Sequence, residues 1–170
     1  MTTPETAYEP VSRQVGALTL TLASETEIVM TRVFDAPRAL VFRAHSSCEH
    51  ISRWFGRRQD TMPSCEMDFR PGGKWRFVNR DDEGNEFVFF GEYLEIVEPE
   101  RITWTFAFEG MPGDPSVETV TFEEHDGRTT LTARADYGSL EARDAMVASG
   151  MEHGASETWD RLAELLVTMA

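Results

Sequence analysis

Residues 86–108 read EFVFFGEYLEIVEPERITWTFAF. Phe87, Phe89, Gly91 and Tyr93 share one parity, and beyond Pro99-Glu100 so do Ile102, Trp104, Phe106 and Phe108. Alternation at period two places one set of side chains on one face of a strand. The short turn between the two runs makes the strands antiparallel neighbours. The hairpin therefore presents an aromatic face, while Glu92 points the other way and meets water.

The same pattern extends in both directions. Upstream, Ser64–Phe69 and Lys74–Asn79 read as strands joined by the turn Arg70-Pro71-Gly72-Gly73, with Trp75 and Phe77 on one face and Arg76 on the other. That turn lies between strands, so it lacks the helix N-terminus that phosphate cradles use. The loop Asp81–Asn85 leads into the central hairpin. Downstream, Val117–Glu123 keeps Val120 and Phe122 in phase, Asp126-Gly127 is a hairpin turn signal, and Arg128–Tyr137 keeps Leu131, Ala133 and Ala135 in phase. Before this meander, Leu18, Leu20 and Leu22 alternate with threonines, and Ile28–Phe34 reads as the first core strand. Asp35-Ala36-Pro37 ends it and opens a short helix to Ala44. Ser46 with Glu49 has the spacing of a capping box, which predicts a second short helix from Ser47 to about Phe55, stopped by Gly56.

From Ser139 the period changes. Ser139 suits an N-cap, and Glu141 and Asp144 suit the positive end of a helix. Met151, Ala155, Trp159, Leu162, Leu165, Leu166 and Met169 recur at three and four, the mark of a long amphipathic helix. Glu157 and Arg161 are spaced as an i,i+4 pair. Gly150 and Gly154 interrupt the pattern: either they open room beside the helix, or the helix breaks near Gly150. A run of strands with one apolar face needs a cover, and only the C-terminal helix is long enough. The expected class is α+β, a curved antiparallel sheet around a long C-terminal helix, in one domain spanning 16–170. Residues 1–15, which are polar and contain Pro4 and Pro10, read as a mobile tail.

Composition narrows the function. Of 170 residues, 41% are hydrophobic, enough for a folded core, and the net charge of −14 disfavours nucleic acid and anionic membranes as partners. No apolar run is long enough to span a bilayer, and MTTPETAYEPVSRQ has neither the basic nor the apolar region of a secretory signal. A cytoplasmic location is the resulting expectation. Arg53, Arg57 and Arg58 are the densest basic cluster, read as complementing a helix dipole. Cys48 and Cys65 are too few for a disulfide framework and read as small buried or half-buried residues. His45, His50, His125 and His153 lack metal spacing, so no metal and no cofactor is expected.

The segments TRVFDAPRALVFRAHSSCEHISRWF (31–55), DFRPGGKWRFVNRDDEGNEFVFFGEYLEIVEPERITWTF (68–106) and GMEHGASETWDRLAELL (150–166) resemble the activator of heat-shock-protein-90 ATPase homologue-like family of the START-like (SRPBCC) superfamily. The likeness runs from about residue 17 to 168. Two positions depart from it: His45, where relatives often carry tryptophan, and Met151 after Gly150, where many carry Gly-Trp. The resemblance implies a helix-grip fold, in which the sheet wraps the last helix around a cavity. The superfamily includes lipid carriers, hormone receptors, aromatic cyclases and dehydratases, and chaperone regulators, so fold alone does not select a chemistry.

The candidate pocket walls are Trp54, Phe55, Trp75, Phe77, Phe89, Tyr93, Trp104, Phe106, Phe122, Met151, Ala155 and Trp159. Apolar walls with a few polar groups suit a small ligand, here an apolar or aromatic molecule. Glu66, Asp68, Arg76, Glu92 and Glu118 are the titratable residues on strands. None forms a recognisable Ser-His-Asp or Cys-His set. Glu152 and His153 read as a solvated polar face. The first functional expectation is a small-molecule binding module. The alternatives are a chaperone-type regulator with a protein partner, or an enzyme of the cyclase or dehydratase kind. A homodimer is left open.

Overall fold

The alternating segments pair as one continuous sheet. In the computed structural model, which describes residues 8–111 and 113–170, the strands are β1 (Val11–Val15), β2 (Leu18–Leu22), β3 (Glu27–Phe34), β4 (Thr61–Met67), β5 (Lys74–Arg80), β6 (Glu86–Val97), β7 (Arg101–Phe108), β8 (Ser116–His125) and β9 (Arg128–Asp136). The helices are α1 (Arg38–Ala44), α2 (Cys48–Ile51), α3 (Leu140–Ala148) and α4 (Met151–Met169). The sheet order is β1-β2-β3-β9-β8-β7-β6-β5-β4, and all neighbours are antiparallel. The meander β4–β9 is the expected run of strands, joined to the N-terminal β1–β3 by the β3·β9 pairing. The class is α+β, with α4 packed on the apolar face as in a helix-grip fold.

Helix α4 buries Trp159, Leu162, Leu165 and Leu166 at helical spacing, and Trp159 meets Phe34 of β3 edge-on, 6.0 Å between ring centroids. Of the two readings of Gly150, the helix break is the one found. Gly150 has φ 75, a left-handed conformation that costs glycine little, and it separates α3 from α4. Ser139 caps α3 by accepting a hydrogen bond from the Ala142 N–H at 3.1 Å.

Several local expectations fail for identifiable reasons. The supposed tail is in part an edge strand: Val11–Val15 pairs with Leu18–Leu22, and Arg143 of α3 donates to both the Tyr8 hydroxyl and the Ser24 carbonyl. Residues 1–7 lie outside the described residues. Ser46 is not the cap of α2. Its hydroxyl donates to the Arg43 carbonyl, and Ser47 holds the N-cap position with no side-chain cap bond, over a helix of only four residues. Tertiary partners override the local pairs elsewhere. Arg161 donates to the carbonyls of Gly56, Arg57 and Arg53 in place of Glu157. Arg57 and Arg58 pair with Asp60 and Glu164 instead of capping a helix end.

The cysteines are joined. Cys48 on α2 and Cys65 on β4 form a disulfide with Cα atoms 5.9 Å apart. Sequence separation conceals this, because contact arises only when α2 is laid over β4. The bond closes a loop of 17 residues in sequence separation, so its reduction, or Cys48→Ser, lowers the unfolding free energy by about 3 kcal/mol. Urea denaturation with and without a reductant measures this, and coincident curves contradict it.

Candidate functional site

Strand registers carry side chains into rows across the inner face. Ile28, Ala135, Glu118, Trp104 and Tyr93 lie directly opposite one another along β3, β9, β8, β7 and β6. Beside them runs Met30, Ala133, Val120, Ile102 and Ile96. Toward the β5–β6 hairpin, Phe77, Phe89 and Phe108 form the outer row.

At the closed end, helices α1 and α2 cover the sheet. His45 is buried, its Nδ1 lies 2.8 Å from the Val41 carbonyl, and its ring packs on Trp54 and Phe122, 4.8 and 5.1 Å between centroids. A carbonyl only accepts, so Nδ1 carries the proton and Nε2 is the acceptor. Burial lowers the His45 pKa to about 4, opposed by that backbone bond. His45, Ile51, Tyr93, Ile102, Trp104 and Val120 enclose a cavity of about 10 Å³, which is the scale of a single water centre. Among the described residues the buried Tyr93 hydroxyl has no hydrogen-bond partner, and neither has the Trp75 Nε1. Desolvation raises the Tyr93 phenol well above its ordinary value.

Away from that end the inner face is unevenly covered. Trp75, Phe77 and Tyr93 are fully covered, whereas Phe55, Phe89, Phe106, Phe108 and Tyr137 remain half-buried although they belong to the apolar side of the fold. Phe55 is the hub, with centroids 5.0 Å from Phe77, 5.5 Å from Phe89 and 6.4 Å from Phe106. Trp75 continues the cluster to Trp104 at 4.5 Å. The structure thus brings together Trp54, Phe55, Trp75, Phe77, Phe89, Tyr93, Trp104 and Phe106 through ring contacts, and ties in Phe122 through His45. Trp159 packs apart, on Phe34. Met151 and Ala155 are half-buried against the core and do not line the small cavity.

Glu118 is the residue that the sequence reading undervalued. It shares parity with Val120 and Phe122, so it points inward from β8. Its carboxylate accepts a hydrogen bond from the Trp104 Nε1 at 2.9 Å. Protein surrounds it, yet its side chain keeps some solvent-accessible surface, as a residue on a groove wall does. Burial raises its pKa, and the Trp104 bond pulls the other way. Tyr137, two residues beyond the Ala135 that opposes Glu118, has its phenol raised by burial and by the Glu118 charge.

These features meet a known family. The family described as "Activator of Hsp90 ATPase homolog 1-like protein" matches residues 35–167. The chain belongs to it. A Rhodobacter sphaeroides crystal structure superposes with TM-score 0.84 at 25% identity, covering 89% of this chain and 99% of that one. A Nitrosomonas europaea protein gives TM-score 0.78 at 25% identity, covering 87% and 98%. A Mycobacterium smegmatis protein shares the fold, at TM-score 0.74 and 24% identity over 84% and 91%. No curated protein matches the sequence significantly. At the level of the Activator of Hsp90 ATPase homolog 1-like family, the chain resembles a hydrophobic-ligand-binding fold.

Within this family frame, the remaining titratable candidates fall into place. Arg76, Glu66, Asp68 and Glu92 are exposed. An open depression of about 400 Å³, lined partly by Glu66, Arg76 and Phe90, lies on that outer face. Glu152 is not solvated: it is buried and paired with Arg13 at 2.7 Å, because β1 lies over the start of α4. Among the described residues no group of three or more His, Cys, Asp or Glu gathers to hold a metal, and no helix is long and apolar enough to cross a membrane.

His45 makes stability fall in acid. Between pH 6.5, where the unfolded imidazole titrates, and about 4, where the folded one does, the unfolded chain binds the extra proton. Acidification across that window costs about 3 kcal/mol from this group. Glu118 acts in reverse: its raised pKa contributes stability that is present in acid and lost as pH rises through its folded value. The difference between wild type and His45→Gln isolates the imidazole. Unfolding curves at pH 6.5 and 4.5 show most of that loss in the wild type beyond any in the variant, and equal slopes contradict the assignment.

Proposed function

We propose that this domain binds one small, mostly apolar molecule with an aromatic part, in the unevenly covered part of the concavity. The observation that supports this most strongly is the uneven coverage of the inner face. Phe55, Phe89 and Phe106 are positioned as core residues but remain half-buried, while their neighbours are sealed. An apolar surface left concave and partly uncovered gains by burial, at about 25 cal/mol per Å². The ligand contacts of this proposal are the aromatic walls Trp54, Phe55, Trp75, Phe77, Phe89, Tyr93, Trp104, Phe106 and Phe122, with Met151 and Ala155 contributed by α4.

The small cavity beside His45 and Tyr93 is the deep end of the same site. It has room for a water-sized group only, so a larger ligand enters by shifting side chains among the half-buried rings. The unpaired Tyr93 hydroxyl gives the deep end a donor. A cytoplasmic setting belongs to the same proposal, and there the Cys48–Cys65 bond is expected as the dithiol.

Titration with the apolar fluorophore N-phenyl-naphthylamine tests the reading. Saturable emission enhancement at one site is expected, weakened about tenfold or more by Ala155→Trp, which fills space beside α4. Phe90→Ser on the outer face leaves it unchanged. Non-saturable enhancement, or equal binding by the Ala155→Trp protein, overturns the proposal.

A further inference from the structure

The fully buried acids among the described residues each carry an arginine. Buried Glu152 pairs with Arg13 at 2.7 Å, and buried Asp60 pairs with Arg57 at 3.2 Å. Asp160 of α4 pairs with the inward-facing Arg32 at 2.5 Å. Glu118 is more enclosed than Asp160, but among the described residues its only side-chain hydrogen bond comes from the neutral indole N–H of Trp104, and no cation contributes to its titration. A carboxylate has two oxygens and about four lone-pair sites, so most of its accepting capacity is unused. Its neighbours in the ladder are Ala135, small and buried, and Trp104. Phe106 lies two residues along β7 from Trp104, with rings 5.7 Å apart, and Tyr93 stacks on Trp104 at 6.0 Å. Tyr137 follows directly after β9 and feels the Glu118 charge.

A carboxylate bonded only to the indole N–H edge of Trp104, beside an aromatic cluster that includes Phe106, has the chemistry of a site for an organic ammonium on an apolar body. A carboxylate attracts cations and makes charge-assisted hydrogen bonds with N–H donors. The net charge of −14 raises the local concentration of cations around the whole molecule. We propose that the ligand of this site is an amine on an aromatic or apolar body, with its ammonium held by Glu118 and its body lying along Phe106 and Phe89. The proposal rests on the ligand-binding reading of the concave face and adds the charge of the ligand to it.

Calorimetric titration of the full chain with phenylbutylamine and with phenylbutanol, matched in size, tests the assignment. The amine is expected to bind about tenfold tighter or more. Glu118→Gln, which preserves shape, is expected to abolish that preference while leaving the alcohol unchanged, and Glu66→Gln on the outer face is expected to change neither. Equal or tighter binding of the alcohol to the wild-type protein overturns the ammonium assignment and leaves the apolar site standing. A preference for the amine that survives in Glu118→Gln removes Glu118 from the role. Absence of binding by either compound overturns the ligand site and the inference together. The wild-type comparison decides the question of charge even if the variant fails to fold.

Discussion

The sheet is closed by holding one helix from both flanks, and the rest of the structure depends on that hold. On one flank, the Ser156 hydroxyl donates to the Val15 carbonyl at 3.0 Å and Glu152 takes Arg13. On the other, Thr158 and Arg161 donate to carbonyls of the turn after α2, and Arg58 reaches Glu164. The bonds to the carbonyls of Arg53, Gly56 and Arg57 satisfy backbone groups in a segment outside the sheet ladders. They fix α4 at the width of the concavity, independent of how fully the space beneath is packed. A helix held only by apolar contact would settle until the gap closed. One held at its edges can leave the face beyond Phe55 and Phe106 partly uncovered.

Period and parity made most of the architecture legible. Alternation located every strand from β4 to β9, because each has one dry face and one wet face. The period change at Ser139 located the helical tail, and a left-handed glycine decided between the two readings of Gly150. Contacts between residues far apart in sequence were not legible. The disulfide, the Arg161 bonds and the strand role of Val11–Val15 depend on which segments the fold lays side by side. Val11–Val15 is also an exposed edge, with no apolar residue buried to mark it.

The site was legible in part for the same reason. Aromatic parity picked out Trp75, Phe77, Phe89, Tyr93, Trp104 and Phe106, and these rings do touch. Trp159 has the same residue type and the right helical stripe, but it faces Phe34, since stripe position fixes a face and not a partner. Glu118 was visible to parity. Residues in phase with Val120 and Phe122 point inward whatever their polarity, and geometry overrides type within a strand.

That inward placement gives the concavity its chemical direction. At the closed end the groups are neutral at physiological pH: an imidazole depressed by burial and a phenol raised by it. Toward Phe106 stands Glu118, an inward acid whose side-chain hydrogen bond comes from a neutral indole. Removing water from a carboxylate costs several kcal/mol unless a partner or a proton compensates. The raised pKa of Glu118 reflects the second route in the absence of a partner. A cation arriving with the ligand would supply the first, so the ionisation of Glu118 and the occupancy of the pocket become one linked equilibrium. A neutral apolar ligand would gain nothing from that link. An inward carboxylate therefore confers selectivity on a cavity whose aromatic walls alone would accept almost any flat molecule.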